Sequence, residues 1–375
     1  MRSLGSLLAQ RPTFLDDIVE WITPESVTCI LRPVADTPAP SGVSSLTRGP
    51  IIQSWFESKE LLKKGAFLET NAFQSGTEVL SFGVGGLSLL AHLDEVSYLF
   101  CEPVKPGVSR ITPYCYHLAS EPTPARILRF TAMGSWQVLC NAQVQMSDDY
   151  YLVLYPENVK MGFADRVVLA SPVTYDESSG LVTGSMDNAA GVAAALAASE
   201  IMLRLGIPFN CYLTDEEEGP AGASNQTISR GASRILRHVK PAPLSVAIDI
   251  HGLSEVELAK SLNHRLPWGA SLAEFSSGGK GSVAPPEILL ALSDTFSLLA
   301  ENGFRVRQNT GGYVPRSDDV AAMLHSNRVV ILGYPGLNRH FDQGLPTVNV
   351  HDLVYLARAL VVVGAMVSPK IMSAY

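Results

Sequence analysis

The sequence predicts an α/β protein: a mostly parallel central sheet covered by helices, with a small β-rich domain inserted into it. Three observations predict this. From about residue 168, strand-like and helix-like segments alternate, the pattern of βαβ units and parallel pairing. Leu87-Ser88-Leu89-Leu90-Ala91-His92 is almost wholly apolar, as a strand buried on both faces should be. Residues 95–167 depart from that plan and show no strong helical period. The expected boundaries are a discontinuous α/β domain over 1–94 and 168–375, with 95–167 as the insertion.

The elements follow in chain order. Thr13 can cap a helix over 13–22, with Asp16 three residues on and Leu15, Ile18, Val19 and Ile22 on one face. Thr37-Pro38-Ala39-Pro40-Ser41-Gly42 is a Pro-rich turn. Glu78–Phe82 and Leu87–His92 read as strands split by the turn Gly83-Val84-Gly85-Gly86. In the insertion, Pro103, Pro106, Pro113, Pro122 and Pro124 recur, which suits short strands broken by loops. Trp136, Val138, Cys140, Ala142 and Val144 then alternate with Gln137, Leu139, Asn141, Gln143 and Gln145. Beyond it come an Ala-rich helix over 188–204, a strand over 208–214 and a loop with Gly219, Pro220 and Gly222. A helix near 226–239 and a strand over 244–249 follow. A helix from Pro286 stops near Gly303, a strand covers 328–333, and a last helix runs from Asn349 to about 366, with Asp352 three residues past its start.

Composition narrows the class. A chain of 375 residues suits two domains, or one large domain with an insertion. Hydrophobic residues make up 46%, and charged residues only 17% against a typical share of about 25%. Mean hydropathy is +0.16. Such a chain buries a large core and keeps apolar surface for contact with further copies, so a homo-oligomer is expected. With 28 basic and 36 acidic residues the net charge is -8, which argues against nucleic acid as a partner. The apolar stretch Leu360 to Val367 is far short of the roughly 20 residues of a membrane span, so no membrane partner is expected. The N-terminal stretch to Arg11 is too short and too soon interrupted for a signal peptide. The five cysteines, Cys29, Cys101, Cys115, Cys140 and Cys211, are odd in number, far apart and form no CxxC pair. A reduced, cytoplasmic protein is expected.

Five clusters of acids and histidines punctuate the chain: His92-Leu93-Asp94-Glu95, Met186-Asp187-Asn188, Asp215-Glu216-Glu217-Glu218-Gly219, Ile248-Asp249-Ile250-His251 and Asn338-Arg339-His340-Phe341. Ligands of open α/β sheets bind beyond the carboxyl ends of the strands. The topology therefore converges His92, Glu216 or Glu217, and Asp249 on one rim, and the loop after the 328–333 strand brings His340 there. Imidazole and carboxylate donors suit zinc first, and cobalt or manganese as well. Two histidines and three carboxylates hold two such ions when one carboxylate bridges them, and a two-metal site clamps the oxygens of a hydrolytic transition state. The adjacent Glu216 can supply a general base. Each residue also has a plainer reading. Asp215–Glu218 alone is a solvated turn, and Asp187 alone is an N-cap for the following helix. His251 is either an outer contact of the site or a loop histidine. His117, His238, His264, His325 and His351 read as structural or exposed, and Cys211 as core. The glycines of 83–86 are followed by no Lys and no helix, so they make no phosphate loop. No GxSxG elbow supports a serine hydrolase.

The clusters also carry a family resemblance. Ala91-His92-Leu93-Asp94-Glu95-Val96 resembles the AHxDEV motif of the tetrahedral and glutamyl aminopeptidases, cytoplasmic di-zinc metallopeptidases. Gly184–Gly191 resembles their LDDRxG segment, and Glu216–Ala223 resembles EEVGLRGA without a gap. Ser317-Asp318-Asp319 resembles TDA, Gly333–His340 resembles GxPxRxxH, and Pro40-Ser41-Gly42 resembles their PSG turn. The resemblance implies a co-catalytic zinc-peptidase-like fold. It implies Asp187 as bridging carboxylate between two divalent metal ions per subunit. His92 and Asp249 complete one metal site, Glu217 and His340 the other. It further implies Glu216 as catalytic base, Asp94 as the partner that orients His92, and 95–167 as a dimerisation domain. Departures are Asn188 and Ala189 for Asp and Arg, Ser97 for Gly, Glu218 for an apolar residue, and a second acid at Asp319. The expected activity is aminopeptidase action on short peptides. The alternatives are an amidase or deacylase for one small amide, and a non-catalytic assembly protein on a peptidase fold.

Overall fold

A computed structural model describes residues 1–115, 121–147, 150–219 and 228–368. Four parallel strands form the centre of a nine-stranded sheet, in the order Phe209–Thr214, Leu87–His92, Ser245–Ala247 and Val329–Pro335. Outside them, Glu78–Phe82 and Ala270–Ala273 pair antiparallel with the first and the fourth. The register sets Thr214 opposite His92 and Ala247 opposite Leu90, so the carboxyl ends share one rim. Leu87–His92 is buried at every position. Its residues alternate between two cores: Leu87, Leu89 and Ala91 on one face, Leu90 on the other.

The first core is roofed by Pro24–Asp36, Met186–Arg204 and Val350–Val367. The alanines of Met186–Arg204 let this helix lie buried from Met186 to Leu203. Val350–Val367 has 18 residues and a mean hydropathy of 1.7, enough to cross a membrane by length and composition, and 78% of it is buried within the protein. The two charges inside it find partners there. Asp352 accepts from the Trp268 and Gly269 amides, and Arg358 donates to the carbonyls of Val19, Ile22 and Gly303. Asp352 therefore ties down a neighbouring turn and does not cap its own helix. Arg230–Leu236 and Asp319–His325 cover the opposite face. The helix expected near 226–239 is shorter, and its first two residues lie outside the described ones, as do His117 and Pro220–Ala223. Pro24–Asp36 escapes a periodicity reading because Pro33 stands inside it.

The insertion is a closed antiparallel barrel of six strands: Ser97–Lys105, Val108–Pro113, Tyr150–Leu154, Trp136–Ser147, Thr123–Phe130 and Arg166–Leu169, in spatial order. Its last strand runs two residues past the expected boundary, because Val168 pairs with both Ser97 and Arg126 to close the barrel. Tyr98, Ile111, Ile127, Val144, Val153 and Val167 fill it. Phe341, from the loop after Val329–Pro335, packs into that same core.

Candidate metal centre

His92 ends its strand fully buried. Its Nδ1 lies 3.1 Å from the main-chain carbonyl oxygen of Asp94. A carbonyl only accepts, so Nδ1 carries a proton and Nε2 is turned toward the acids. Nε2 is 3.2 Å from Asp187 Oδ1, 3.6 Å from Glu217 Oε2 and 3.7 Å from Asp249 Oδ1. Across the cluster, His340 Nε2 is 3.6 Å from Asp187 Oδ2 and 3.5 Å from Glu218 Oε2.

Each acid is held by its own piece of backbone. Asp187 and Asn188 keep non-helical dihedrals, so regular helix begins at Ala189. The N-cap role falls to Asn188, whose Oδ1 accepts the Gly191 amide at 3.1 Å. Asp187 is thereby left free to face both histidines. Asn188 Nδ2 donates to the Ile248 carbonyl at 2.7 Å and so ties this turn to the Asp249 segment, and the Tyr334 hydroxyl reaches Asn188 Oδ1 at 2.9 Å. Asp94 organises the acidic loop: its carboxylate accepts the amides of Glu217 (3.1 Å) and Glu218 (3.3 Å) and the Ser41 hydroxyl (2.5 Å). Asp215 accepts the Gly42 and Ser44 amides, so the Pro40-Ser41-Gly42 turn is stapled to the same loop.

Glu216 stands apart from this cluster. Its carboxylate meets Arg234 at 2.6 Å, the Tyr114 hydroxyl at 2.7 Å and Arg230 at 3.4 Å. Burial works against its charge, but Arg234, Tyr114 and Arg230 outweigh it and hold the carboxyl below its ordinary value. The reason is local. Glu216 takes a left-handed φ of 57°, so the alternation of extended chain ends there, and Glu217 and Glu218 both turn inward. The two glutamates at the cluster are thus Glu217 and Glu218, one residue later than the gapless match implied. Three successive glutamates carry no signal in the sequence that would set this register.

Two further residues join the cluster without having been picked out by spacing. Arg339 lies 3.6 Å from Asp187 Oδ2. Cys115, from the barrel, lies beside Glu218 and His340. His251 faces the Ser271 hydroxyl at 2.7 Å, and burial lowers it to about 4. Asp318 bonds Thr214, and burial raises it to about 7. Asp319 holds Ser276, Ser282 and Ser317.

The electrostatics show strong crowding of negative charge. Burial, then Asp249 and Glu218, push Asp187 up to about 6. Burial also lifts Glu217 well above the usual range, with Asp249, Glu218 and Asp318 adding to it against His92. For Glu218 burial is overridden by His340 and His92, which hold it at about 2. His92 Nε2, both Asp187 oxygens, Glu218 Oε1 and His340 Nε2 are buried without a hydrogen-bond partner. Even with His92, His340 and Arg339 within 3.6 Å, Asp187 stays above the usual carboxylate range, and this donor set of imidazole nitrogens and carboxylate oxygens suits a divalent ion.

No family model matches the sequence, and no curated protein does. Solved structures do match. An aminopeptidase from the archaeon Desulfurococcus kamchatkensis superposes with a TM-score of 0.69 at 15% identity, over 91% of this chain and 95% of that one. The Pyrococcus horikoshii TET1 peptidase, described as assembling into a tetrahedron or a large octahedral shell, gives 0.67 at 17%, over 90% and 99%. Aminopeptidase I from Clostridium acetobutylicum gives 0.52 at 13%, over 77% and 82%. The chain carries the fold of the tetrahedral aminopeptidases, complete with the barrel inserted in its α/β body.

Proposed function

We propose that the protein is a di-metal-dependent hydrolase of peptide or amide bonds, an aminopeptidase acting on short peptides. One observation carries the reading: Asp187 points one oxygen at His92 and the other at His340, and neither oxygen has a hydrogen-bond partner. That is the arrangement a bridging carboxylate needs. His92 and Asp249 would share one ion with Asp187, and His340 and Glu218 the other, zinc being the first choice and cobalt or manganese fitting the same donors. Bound ions would polarise the scissile carbonyl and lower the pKa of an attacking water. The rest falls to the chain. Glu217 sits 3.6 Å from His92 Nε2, on the same inner face as the acids, and would take the proton from the water at a carboxylate oxygen. The main-chain carbonyl of Asp94 orients His92, and its carboxylate fixes the Glu217–Glu218 backbone. Arg339, with 29% of its side chain exposed, would meet substrate at the mouth.

A homo-oligomer is part of this reading. The barrel exposes Phe163 at 98% and Met133 at 92%, alongside Val104 and Met146. Exposed apolar side chains of this kind suit a subunit contact.

The test is metal content measured together with turnover on aminoacyl-arylamides. Chelation abolishes turnover, and zinc, cobalt or manganese restores it. His92→Ala, Asp249→Ala, Glu218→Ala and His340→Ala each lower bound metal. Full metal in all four variants would refute the site. Equal turnover on N-acylated arylamides would refute the requirement for a free amine.

A further inference from the structure

Cys115 follows the barrel strand Val108–Pro113 and reaches the α/β rim. Its Sγ, a Glu218 carboxylate oxygen and a His340 ring nitrogen lie within 4.8 Å of one another. Donors bonded to one tetrahedral zinc ion at about 2.0–2.3 Å lie about 3.3–3.8 Å apart, so a small inward movement of these three side chains brings them round one ion. Glu218 Oε1 and His340 Nε2 are buried without a hydrogen-bond partner, His340 Nε2 lies 3.5 Å from Glu218 Oε2, and Cys115 is itself 9% exposed. The segment that carries the thiol is pinned. The Tyr114 amide donates to the Ser97 carbonyl at 2.7 Å, and the Tyr114 hydroxyl donates to Glu216 at 2.7 Å while accepting from Arg230 at 2.9 Å. The Glu216–Arg230 pair, which takes no place among the acids, therefore positions the barrel segment that presents the thiol.

We propose that Cys115 is a thiolate ligand of the ion held by Glu218 and His340. The inference rests on the di-metal reading above. On coordination the S–H bond breaks, its proton leaves to solvent, and one Sγ–metal bond forms; no oxidant or reductant takes part. With Asp187 this position then has four protein donors, the count of a closed site. The position built on His92, Asp249 and Asp187 has three, the count of a site with room for water. A thiolate is a soft donor, so this ion is zinc in preference to manganese.

The test uses the full chain, stripped of metal and reloaded with cobalt(II). The expected result is two ions per chain and a thiolate-to-cobalt charge-transfer band in the near ultraviolet, for the wild type and for Cys140→Ser. Cys115→Ser lacks the band and binds its second ion at least about tenfold more weakly, the loss that removal of an outer partner alone produces. Two ions without a band, or a band that survives Cys115→Ser, overturns the thiolate ligand and leaves the di-metal reading standing. No bound ion in the wild type overturns both. Should Cys115→Ser fail to fold, alkylation of the wild type decides: zinc protects Cys115 from iodoacetamide, as read by peptide mass spectrometry, and equal labelling with and without zinc overturns the proposal.

Discussion

Glu217→Gln tests the chemistry most directly. The substitution keeps the side-chain shape and leaves the Glu217 amide bonded to Asp94 Oδ1, so the loop that also positions Glu218 is undisturbed. It removes the ability to accept a proton. General-base catalysis contributes about 10²–10⁴-fold, or about 2.7–5.4 kcal/mol of barrier at 1.36 kcal/mol per tenfold. Turnover should fall by that factor while both ions remain bound. The control is Glu216→Gln. The Gln side chain keeps an acceptor oxygen for the Tyr114 hydroxyl, so the segment that carries Cys115 stays in place; with Arg230 and Arg234 38% and 40% exposed the lost charge pairs are worth about 0.2–1 kcal/mol, and turnover stays within several-fold of wild type. The assay is kcat on an aminoacyl-arylamide alongside metal stoichiometry for both variants. A hundredfold loss in Glu216→Gln with near-normal Glu217→Gln would refute the geometric assignment and return the base role to Glu216.

Three further outcomes follow from particular contacts. Asn188→Ala orphans the Ile248 carbonyl and the Gly191 amide, so it should cost about 1–3 kcal/mol in urea unfolding and weaken metal binding about 10–100-fold; unchanged metal affinity would show that this cap does not position Asp187. Burial lifts Asp352 to about 7 in the folded chain, against about 3.9 unfolded, so the folded state holds the proton more tightly. Its contribution is complete below about pH 4 and is lost as pH rises to about 7. Asp352→Asn should therefore flatten the fall in stability across that window, and parallel curves would refute the shift. Phe163→Glu with Met133→Glu should shift the assembly to smaller species in light scattering with kcat retained per folded chain, whereas an unchanged mass would place the subunit contact elsewhere.

Much of this protein is determined by its sequence alone, because hydrophobic period and turn chemistry are local. The run Leu87–His92 reads as a strand buried on both faces because it is short, apolar and bounded by a glycine turn, the alternation 136–145 reads as a half-exposed one, and the α/β order brings His92, Asp249 and His340 to one rim. The tertiary structure decided what depends on a single dihedral or on a distant partner. A left-handed turn at Glu216 sends that carboxylate to Arg230 and Arg234, residues 14 and 18 further along the chain, and leaves Glu217 and Glu218 to the cluster. Asn188 takes the cap and releases Asp187. Cys115 reaches Glu218 across 103 residues because the barrel folds back against the rim, with Phe341 seated in its core. Three consecutive glutamates look alike to any spacing rule, and an isolated cysteine carries no period, so only the folded chain could tell which of them meet.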